Sequence, residues 1–184
     1  PDPGSYIEFD GHDITNEPPH KIGALGLSRT FQLLRLYQDM SVINNVMSGY
    51  HTRVKYKFFD AVIGRKKIWD QEKEIKDEMM ELLSFVGLAD YAELNASELS
   101  GGQRRLLVLA RAIAMKPKLL MLDEPAAGLS PVNVDNLMKI IMQLKDKYGL
   151  TLTIIEHILK VVMDTCNTVT VLDHGQKIAE GTPS

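Results

Sequence analysis

Two short stretches of this chain combine residue types that could bind an anion and activate a water molecule. The first, Leu99–Gln103, reads Leu-Ser-Gly-Gly-Gln and precedes a run that is apolar at helical spacing. Ser100 is a suitable N-cap, and Gln103 stands three residues further on, which is the spacing of a capping box. A helix that opens on Ser-Gly-Gly presents bare N–H groups and the positive end of its dipole. The stretch predicts an anion site at a helix start, with an ordinary capped surface helix as the alternative.

The second stretch is a pair of adjacent carboxylates after an apolar run. Lys118–Leu122 suits a strand buried on both faces of a parallel sheet, and Asp123 and Glu124 stand at its carboxyl end. Open α/β sheets bind ligands at that end. Neighbouring side chains on a strand point to opposite faces, so one carboxylate can hold Mg²⁺ while the other orients and deprotonates a water. A solvated acidic turn before Pro125 is the alternative.

His157 and Gln32 are weaker candidates for the same edge. The stretch from Gly149 to His157 is an apolar, β-branched segment that predicts a strand ending at His157. Gln32 follows a short segment that could also be a strand. A histidine at a strand end is more often structural and most lone glutamines are surface residues, but the shared edge favours a role for His157 beside the two carboxylates.

The helices and strands that must position these residues are predicted from the spacing of apolar residues and from the glycines and prolines at their ends. Strands and helices alternate from Lys118 onward, as a parallel sheet requires, so the fold class is α/β. One helix is expected to begin at Ser130–Pro131 and end at Gly149, and the tail is expected to be a hairpin joined at residues 173–175. The region from 41 to 97 is mostly helical, with an apolar stripe that stops at Gly87 and comprises Ile75, Met79, Leu82, Leu83 and Val86.

Composition limits the function further. The 184 residues are 45% apolar and 24% charged, which is typical of one globular domain. A net charge of −3 predicts no general affinity for polyanions, so no nucleic-acid partner is expected. Two basic clusters, Arg53–Lys57 and Arg65–Lys67, could touch lipid headgroups or nucleic acid, although a solvated loop is the favoured interpretation. No apolar run is long enough to cross a bilayer, so any membrane role is expected to be peripheral.

With these motifs in this order, the chain resembles the nucleotide-binding subunit of ATP-binding-cassette (ABC) transporters, over about residues 7–184. The resemblance identifies the family's motifs as the Q-loop glutamine Gln32, the signature motif Leu99–Gln103, the Walker B strand Leu119–Asp123, the catalytic glutamate Glu124 and the H-loop histidine His157. Individual sequence segments, including "LDEPAAGLSP" and "IEH", look most like those of the ATPase subunits of branched-chain amino-acid importers.

The resemblance implies a fold and a site. The fold is a P-loop NTPase-type parallel sheet flanked by helices, with an α/β core in 1–40 and 116–184 and an inserted helical subdomain over about 41–115. The implied cofactors are ATP and Mg²⁺, with Glu124 polarising the attacking water. The resemblance also implies that Asp123 and Gln32 bind Mg²⁺ and that His157 contacts the γ-phosphate. The residues implied to contact the ATP of the opposing subunit are Ser100, Gly101, Gly102 and Gln103.

The implied partners are a second ABC ATPase subunit, identical or different, and transmembrane permease subunits. A solute-binding protein would act indirectly, and the location would be the cytoplasmic face of the plasma membrane. A non-transport ABC ATPase acting on ribosomes or DNA is an alternative. A degenerate scaffold is another, and Glu124 and His157 argue against it.

The chain departs from the family pattern in three places. No Gly-x-x-x-x-Gly-Lys-Ser/Thr loop (Walker A) occurs in it. The turn after the Walker B strand ends in Ser130 where many relatives have Asp, and Ile158 follows His157. We therefore expect a partial cassette that lacks the N-terminal part of the sheet, that leaves the Walker B and His157 strands with exposed edges, and that by itself neither binds ATP tightly nor hydrolyses it.

Overall fold

A computed structural model describes residues 4–30, 35–50 and 65–183, with side chains left out for 65–71. Gln32 lies outside the described residues, and so does the first basic cluster, Arg53–Lys57. The second cluster, Arg65–Lys67, is described as helical backbone only. The predicted roles of these residues therefore stay predictions.

The described residues form seven strands and six helices around a parallel sheet. In chain order they are β1 (Glu8–Phe9), β2 (His12–Asp13), α1 (Pro19–Leu25), β3 (Leu27–Arg29), α2 (Val42–Tyr50), α3 (Arg65–Phe85), α4 (Gly101–Ala114), β4 (Leu119–Asp123), α5 (Pro131–Tyr148), β5 (Thr151–Ile155), α6 (Leu159–Thr165), β6 (Val169–Asp173) and β7 (Gln176–Gly181). Two 3-10 turns, Ala89–Tyr91 and Ala96–Glu98, connect α3 to α4. The alternation of strands and helices predicted from Lys118 onward is confirmed.

The central sheet has the order β3–β4–β5, and all its strands are parallel. Met121 in the middle of β4 pairs with Arg29 on one side and with Thr153 on the other. The expectation of an exposed edge on the Walker B strand is therefore wrong, because β4 has a strand partner on each side. For β5 the described residues include a partner on the β4 side only. All three carboxyl ends meet at one edge of the sheet.

The two faces of β4 are buried unequally. Leu120 and Leu122 are almost fully buried, whereas Leu119 and Met121 are half-buried. Leu122 borders a small cavity together with Leu109 of α4 and Leu137 of α5, so these helices cover the fully buried face. The predicted burial on both faces is wrong for the second face, which the described residues cover only in part.

The helices follow their predicted signals. Three members of the apolar stripe are buried in α3, Ile75 is partly buried, and the fourth buried member, Val86, directly follows the helix. Gly87 adopts a φ of 74° after the helix ends. In α5, Ser130 is the N-cap, Pro131 opens the helix and Gly149 ends it in the left-handed conformation. The predicted C-terminal hairpin is also confirmed, because β6 and β7 pair in antiparallel register.

One cluster of buried apolar side chains extends from Leu36 to Val161 and includes residues of α2, α3, α4, β4 and α5. Within it α2 packs closely on α4, since Gly49 lies against the backbone carbonyl of Arg111. The division into an α/β core and a helical subdomain stays a prediction. No helix of the described ranges combines the length and apolarity needed to span a membrane.

Candidate active site

The start of α4 has the geometry that its sequence predicts. Ser100 is the N-cap, and its hydroxyl accepts a hydrogen bond from the backbone N–H of Gln103 at 3.3 Å. The Gln103 side chain returns the bond by accepting from the Ser100 N–H at 2.9 Å. Ser100, Gly101 and Gly102 are exposed, and a Cβ added to either glycine would meet no atom within 4 Å. The helix start is thus rigidly capped and open to an approaching ligand. The helix ends at Ala114, with Met115 as its C-cap.

Asp123 is the last residue of β4, and its carboxylate is held by an arginine of the neighbouring strand. Arg29 Nη2 donates to Asp123 Oδ2 at 2.7 Å, and the two side chains are 48% and 25% exposed. No sequence motif points to Arg29. The signal that could have found it is its place at the end of a short apolar segment, because a parallel neighbour would deliver it to the same edge.

Glu124 leaves the strand instead of continuing it. Its φ of 46° lies in the left-handed region, which a non-glycine residue rarely adopts. Its N–H still donates to the Ile155 carbonyl at 2.9 Å, and its own carbonyl accepts from the Ala127 N–H at 3.1 Å. The two carboxylates have different neighbours, since Asp123 binds Arg29 and Glu124 lies beside His157. Glu124 belongs to a turn after the strand, which these backbone hydrogen bonds hold, rather than to the strand itself.

His157 faces Glu124 from the neighbouring strand. β5 ends at Ile155, so His157 lies two residues beyond the strand that it was expected to end. Its Nδ1 is 3.9 Å from Glu124 Oε1, and its side chain is 68% exposed. The structure therefore brings Glu124 and His157 together at the carboxyl edge of the sheet, where both are accessible.

A third carboxylate, Glu156, is fully buried beneath this edge. Glu156 Oε1 accepts from the Ala126 N–H at 2.7 Å, and Oε2 accepts from the His157 N–H at 3.3 Å. Glu156 is not among the residues that the sequence motifs indicate. A carboxylate directly after an apolar strand was the signal used for Asp123 and Glu124, and it applies equally here.

Arg105 of α4 is the cation that acts on Glu156. Burial lowers the pKa of the Arg105 guanidinium, and the negative charge of Glu156 opposes that shift. Arg105 also borders a cavity of about 30 Å³ together with Thr30, Asp123 and Glu124. The helix that begins at Ser100 therefore also reaches the acidic turn of its own subunit.

The described residues could supply part of the ligands of a magnesium ion. Within the described ranges, no group of three or more His, Cys, Asp or Glu side chains could hold a metal by itself. Mg²⁺ does not need such a cage, because it is ordinarily bound by one or two carboxylates together with substrate phosphates and waters. Asp123, a partly exposed carboxylate at the strand end, is chemically suited to that part.

Comparison with known proteins decides what kind of site this is. The profile described as ABC transporter matches residues 1–127, which is more than half of the chain. The chain belongs to the ABC transporter family. Its resemblance to ABC ATP-binding subunits is thereby confirmed, and ATP hydrolysis is the enzymatic activity of such subunits.

Several relatives of this ABC protein are ATP-binding subunits. The chain is 35% identical over 180 residues to the high-affinity branched-chain amino acid transport ATP-binding protein BraF of Pseudomonas aeruginosa, covering 98% of this chain and 71% of BraF. It is 34% identical over 183 residues to LivG of Escherichia coli, covering 100% and 71%. A probable LivG of Archaeoglobus fulgidus is 39% identical over 179 residues, covering 95% and 66%.

Solved ABC cassettes share the fold. A nucleotide-free ATP-binding cassette from an ABC transporter superposes with a TM-score of 0.77 at 32% identity, covering 96% of this chain and 69% of that chain. A protein named cbiO1 from Clostridium perfringens, part of an ABC transporter complex, superposes with a TM-score of 0.79 at 28% identity, covering 99% and 68%. The predicted α/β cassette fold is confirmed.

Proposed function

We propose that this ABC protein is the ATP-hydrolysing subunit of an importer for branched-chain amino acids. The relatives named above support the substrate class, because their names state branched-chain amino acid transport. The observation that carries the enzymatic part is the pairing of Glu124 and His157, 3.9 Å apart, beside Asp123 at the end of the central strand. A scaffold without activity has no need to keep both groups exposed at that edge.

The nucleotide would lie between two subunits. The open helix start at Ser100, Gly101 and Gly102 offers unhindered N–H groups and a positive dipole end to the ATP of an opposing subunit. Gln103 holds the serine in place through the capping box, so the backbone donors are already oriented. The partner in this proposal is a second ABC ATPase subunit, either an identical chain or a different one.

The sheet edge of each subunit would supply the hydrolytic groups. Glu124 accepts a hydrogen bond from the attacking water and polarises it. His157 contacts the γ-phosphate and helps to align that water. Asp123 and Gln32 are the residues that would hold Mg²⁺, which would neutralise phosphate charge. Arg29 donates to Asp123 and so orients its carboxylate.

The subunit would associate peripherally with transmembrane permease subunits on the cytoplasmic face of the plasma membrane. A solute-binding protein would deliver the amino acid to the permease. Co-purification with a multi-span membrane protein supports this assembly. Isolation with ribosomes or with DNA contradicts it and favours the non-transport type of ABC ATPase.

The catalytic assignment is tested by Glu124→Gln in the protein expressed from its complete gene. We expect ATP binding to persist and turnover to fall about 100-fold or more, because the amide cannot accept the proton of the attacking water. The measurements are phosphate release and equilibrium binding of ATP. Glu93→Gln is the matched control, since Glu93 is an exposed carboxylate in a surface ion pair with Lys76. Normal turnover in Glu124→Gln removes this residue from the role.

A further inference from the structure

Glu156 connects the two turns that carry the proposed hydrolytic groups. Its side chain is 0% exposed, and each of its oxygens accepts a backbone hydrogen bond. One bond comes from Ala126, two residues after Glu124, and the other comes from His157 itself. A single buried carboxylate thus binds the turn after β4 and the turn after β5 at the same time.

A buried carboxyl group in this position requires hydrogen-bond partners, because burial of an unpaired polar group is costly. The N–H groups of Ala126 and His157 supply them, one for each oxygen. The imidazole of His157 also lies close, with Nδ1 3.9 Å from Glu156 Oε2.

We propose that Glu156 is a positioning residue, which fixes Glu124 and His157 relative to each other. The proposal rests on the roles proposed above for Glu124 and His157. A rigid link is needed because His157 is mostly exposed and Glu124 sits on a turn with an unfavourable φ. Misplacement of such groups by about 1 Å can cost on the order of 100-fold in rate.

The first test compares Glu156→Gln and Glu156→Ala in the protein expressed from its complete gene. Glutamine keeps one oxygen that can accept from the Ala126 N–H, but its NH₂ group cannot accept from the His157 N–H. Alanine keeps neither hydrogen bond. We expect kcat to fall about tenfold for glutamine and further for alanine, while the KM for ATP stays within about twofold. A merely structural role would lower the unfolding midpoint without this separation of kcat from KM.

A second readout does not depend on catalysis. Hydrogen exchange of the Ala126 amide should accelerate in Glu156→Ala and remain slow in Glu156→Gln, because only alanine removes the acceptor. Unchanged exchange in Glu156→Ala overturns the link. If the alanine variant does not fold, the glutamine variant still decides through its kcat, because its side chain has nearly the same size.

The turnover of Glu124→Gln distinguishes failure of the positioning role from failure of the proposed active site. If Glu124→Gln is inactive while both Glu156 variants keep kcat within about twofold of the parent, the positioning role alone is overturned. If Glu124→Gln turns over normally, the proposed active site is wrong and the positioning role falls with it.

Discussion

At the residue scale, three carboxyl groups at one edge of the sheet have different partners. Arg29 holds Asp123, and His157 Nδ1 lies 3.9 Å from both Glu124 and Glu156. Glu156 in addition accepts two backbone hydrogen bonds. This distribution keeps three acidic side chains close together while their environments stay distinct, from fully buried to partly exposed.

The capping box of Ser100 gives a prediction at this scale. Ser100→Ala should destabilise the protein by about 1 kcal/mol, because the Gln103 N–H loses its acceptor at the start of α4. Ser130→Ala is the matched control, since Ser130 is also an N-cap but makes no side-chain capping bond. For it we expect a change below about 0.5 kcal/mol. Urea unfolding of both variants is the measurement, and equal losses would show that the box contributes nothing.

At the element scale, α2 packs closely on α4. Gly49 is buried against the Arg111 carbonyl, and the same interface includes the fully buried Val42 and Val46. Only glycine allows the backbones to come this near, because any Cβ at position 49 would overlap the carbonyl oxygen. This packing sets the position of α4, and with it the placement of Ser100 and Arg105.

Gly49→Ala should therefore destabilise the protein by about 1–3 kcal/mol through overpacking, despite alanine's better helix propensity. The free energy of unfolding, measured in urea, checks this. Gly181→Ala is the control, since a Cβ there meets nothing within 4 Å. A stabilising effect of Gly49→Ala would mean that α2 can shift away from α4 without loss.

A second contact between elements gives a dependence on pH. Lys147 Nζ of α5 donates to Glu81 Oε1 of α3 at 2.7 Å. This hydrogen bond, and then the lysine's charge, lowers the pKa of Glu81 below its ordinary 4.5, and the same bond raises the pKa of Lys147 above 10.5. A lowered carboxyl pKa stabilises the fold above pH 4.5, and that contribution is lost as pH falls through the folded-state value.

Glu81→Gln should accordingly lower the urea midpoint slightly at neutral pH, and the difference from the parent should shrink as pH falls below about 4.5. The raised lysine pKa acts at the other end, since its contribution is complete below pH 10.5 and is lost as pH rises through the folded-state value. Glu74→Gln, on an exposed position of α3, is the control. A midpoint difference that stays constant from neutral to acidic pH would contradict this account.

At the scale of the whole molecule, the parallel order β3–β4–β5 brings the residues of the candidate active site to one edge of the sheet. All three strands run the same way, so Arg29, Asp123 and the turn of His157 emerge at one edge. The central place of β4 puts the two adjacent carboxylates between Arg29 of β3 on one side and His157 after β5 on the other. Residues that are far apart along the chain then share one surface.

The 184-residue chain by itself should neither bind ATP tightly nor hydrolyse it. It contains no Gly-x-x-x-x-Gly-Lys-Ser/Thr loop, whose backbone N–H groups and lysine cradle the phosphates in P-loop proteins. Phosphate release and ATP titration with the purified chain are the measurements. Measurable hydrolysis that Glu124→Gln abolishes would contradict the expectation while supporting the catalytic assignment.

The sequence by itself determined the local features of this protein. The capping box at Ser100, the end of α5 at Gly149 and the strand before Asp123 all follow from residues within a few positions of each other. Such signals act through hydrogen bonds and dihedral preferences of neighbouring residues, so they need no knowledge of the rest of the fold. The order of these motifs was also sufficient to indicate the family.

Only the tertiary structure decided which distant groups meet. Arg29 and Asp123 are 94 positions apart, and Glu156 and Ala126 are 30 apart. Their contacts depend on which strands pair and how α4 lies beneath them, and neither is encoded in any short window of sequence. The left-handed turn of Glu124 has the same origin, since bonds to Ile155 and Ala127 hold a conformation that the residue alone would not adopt.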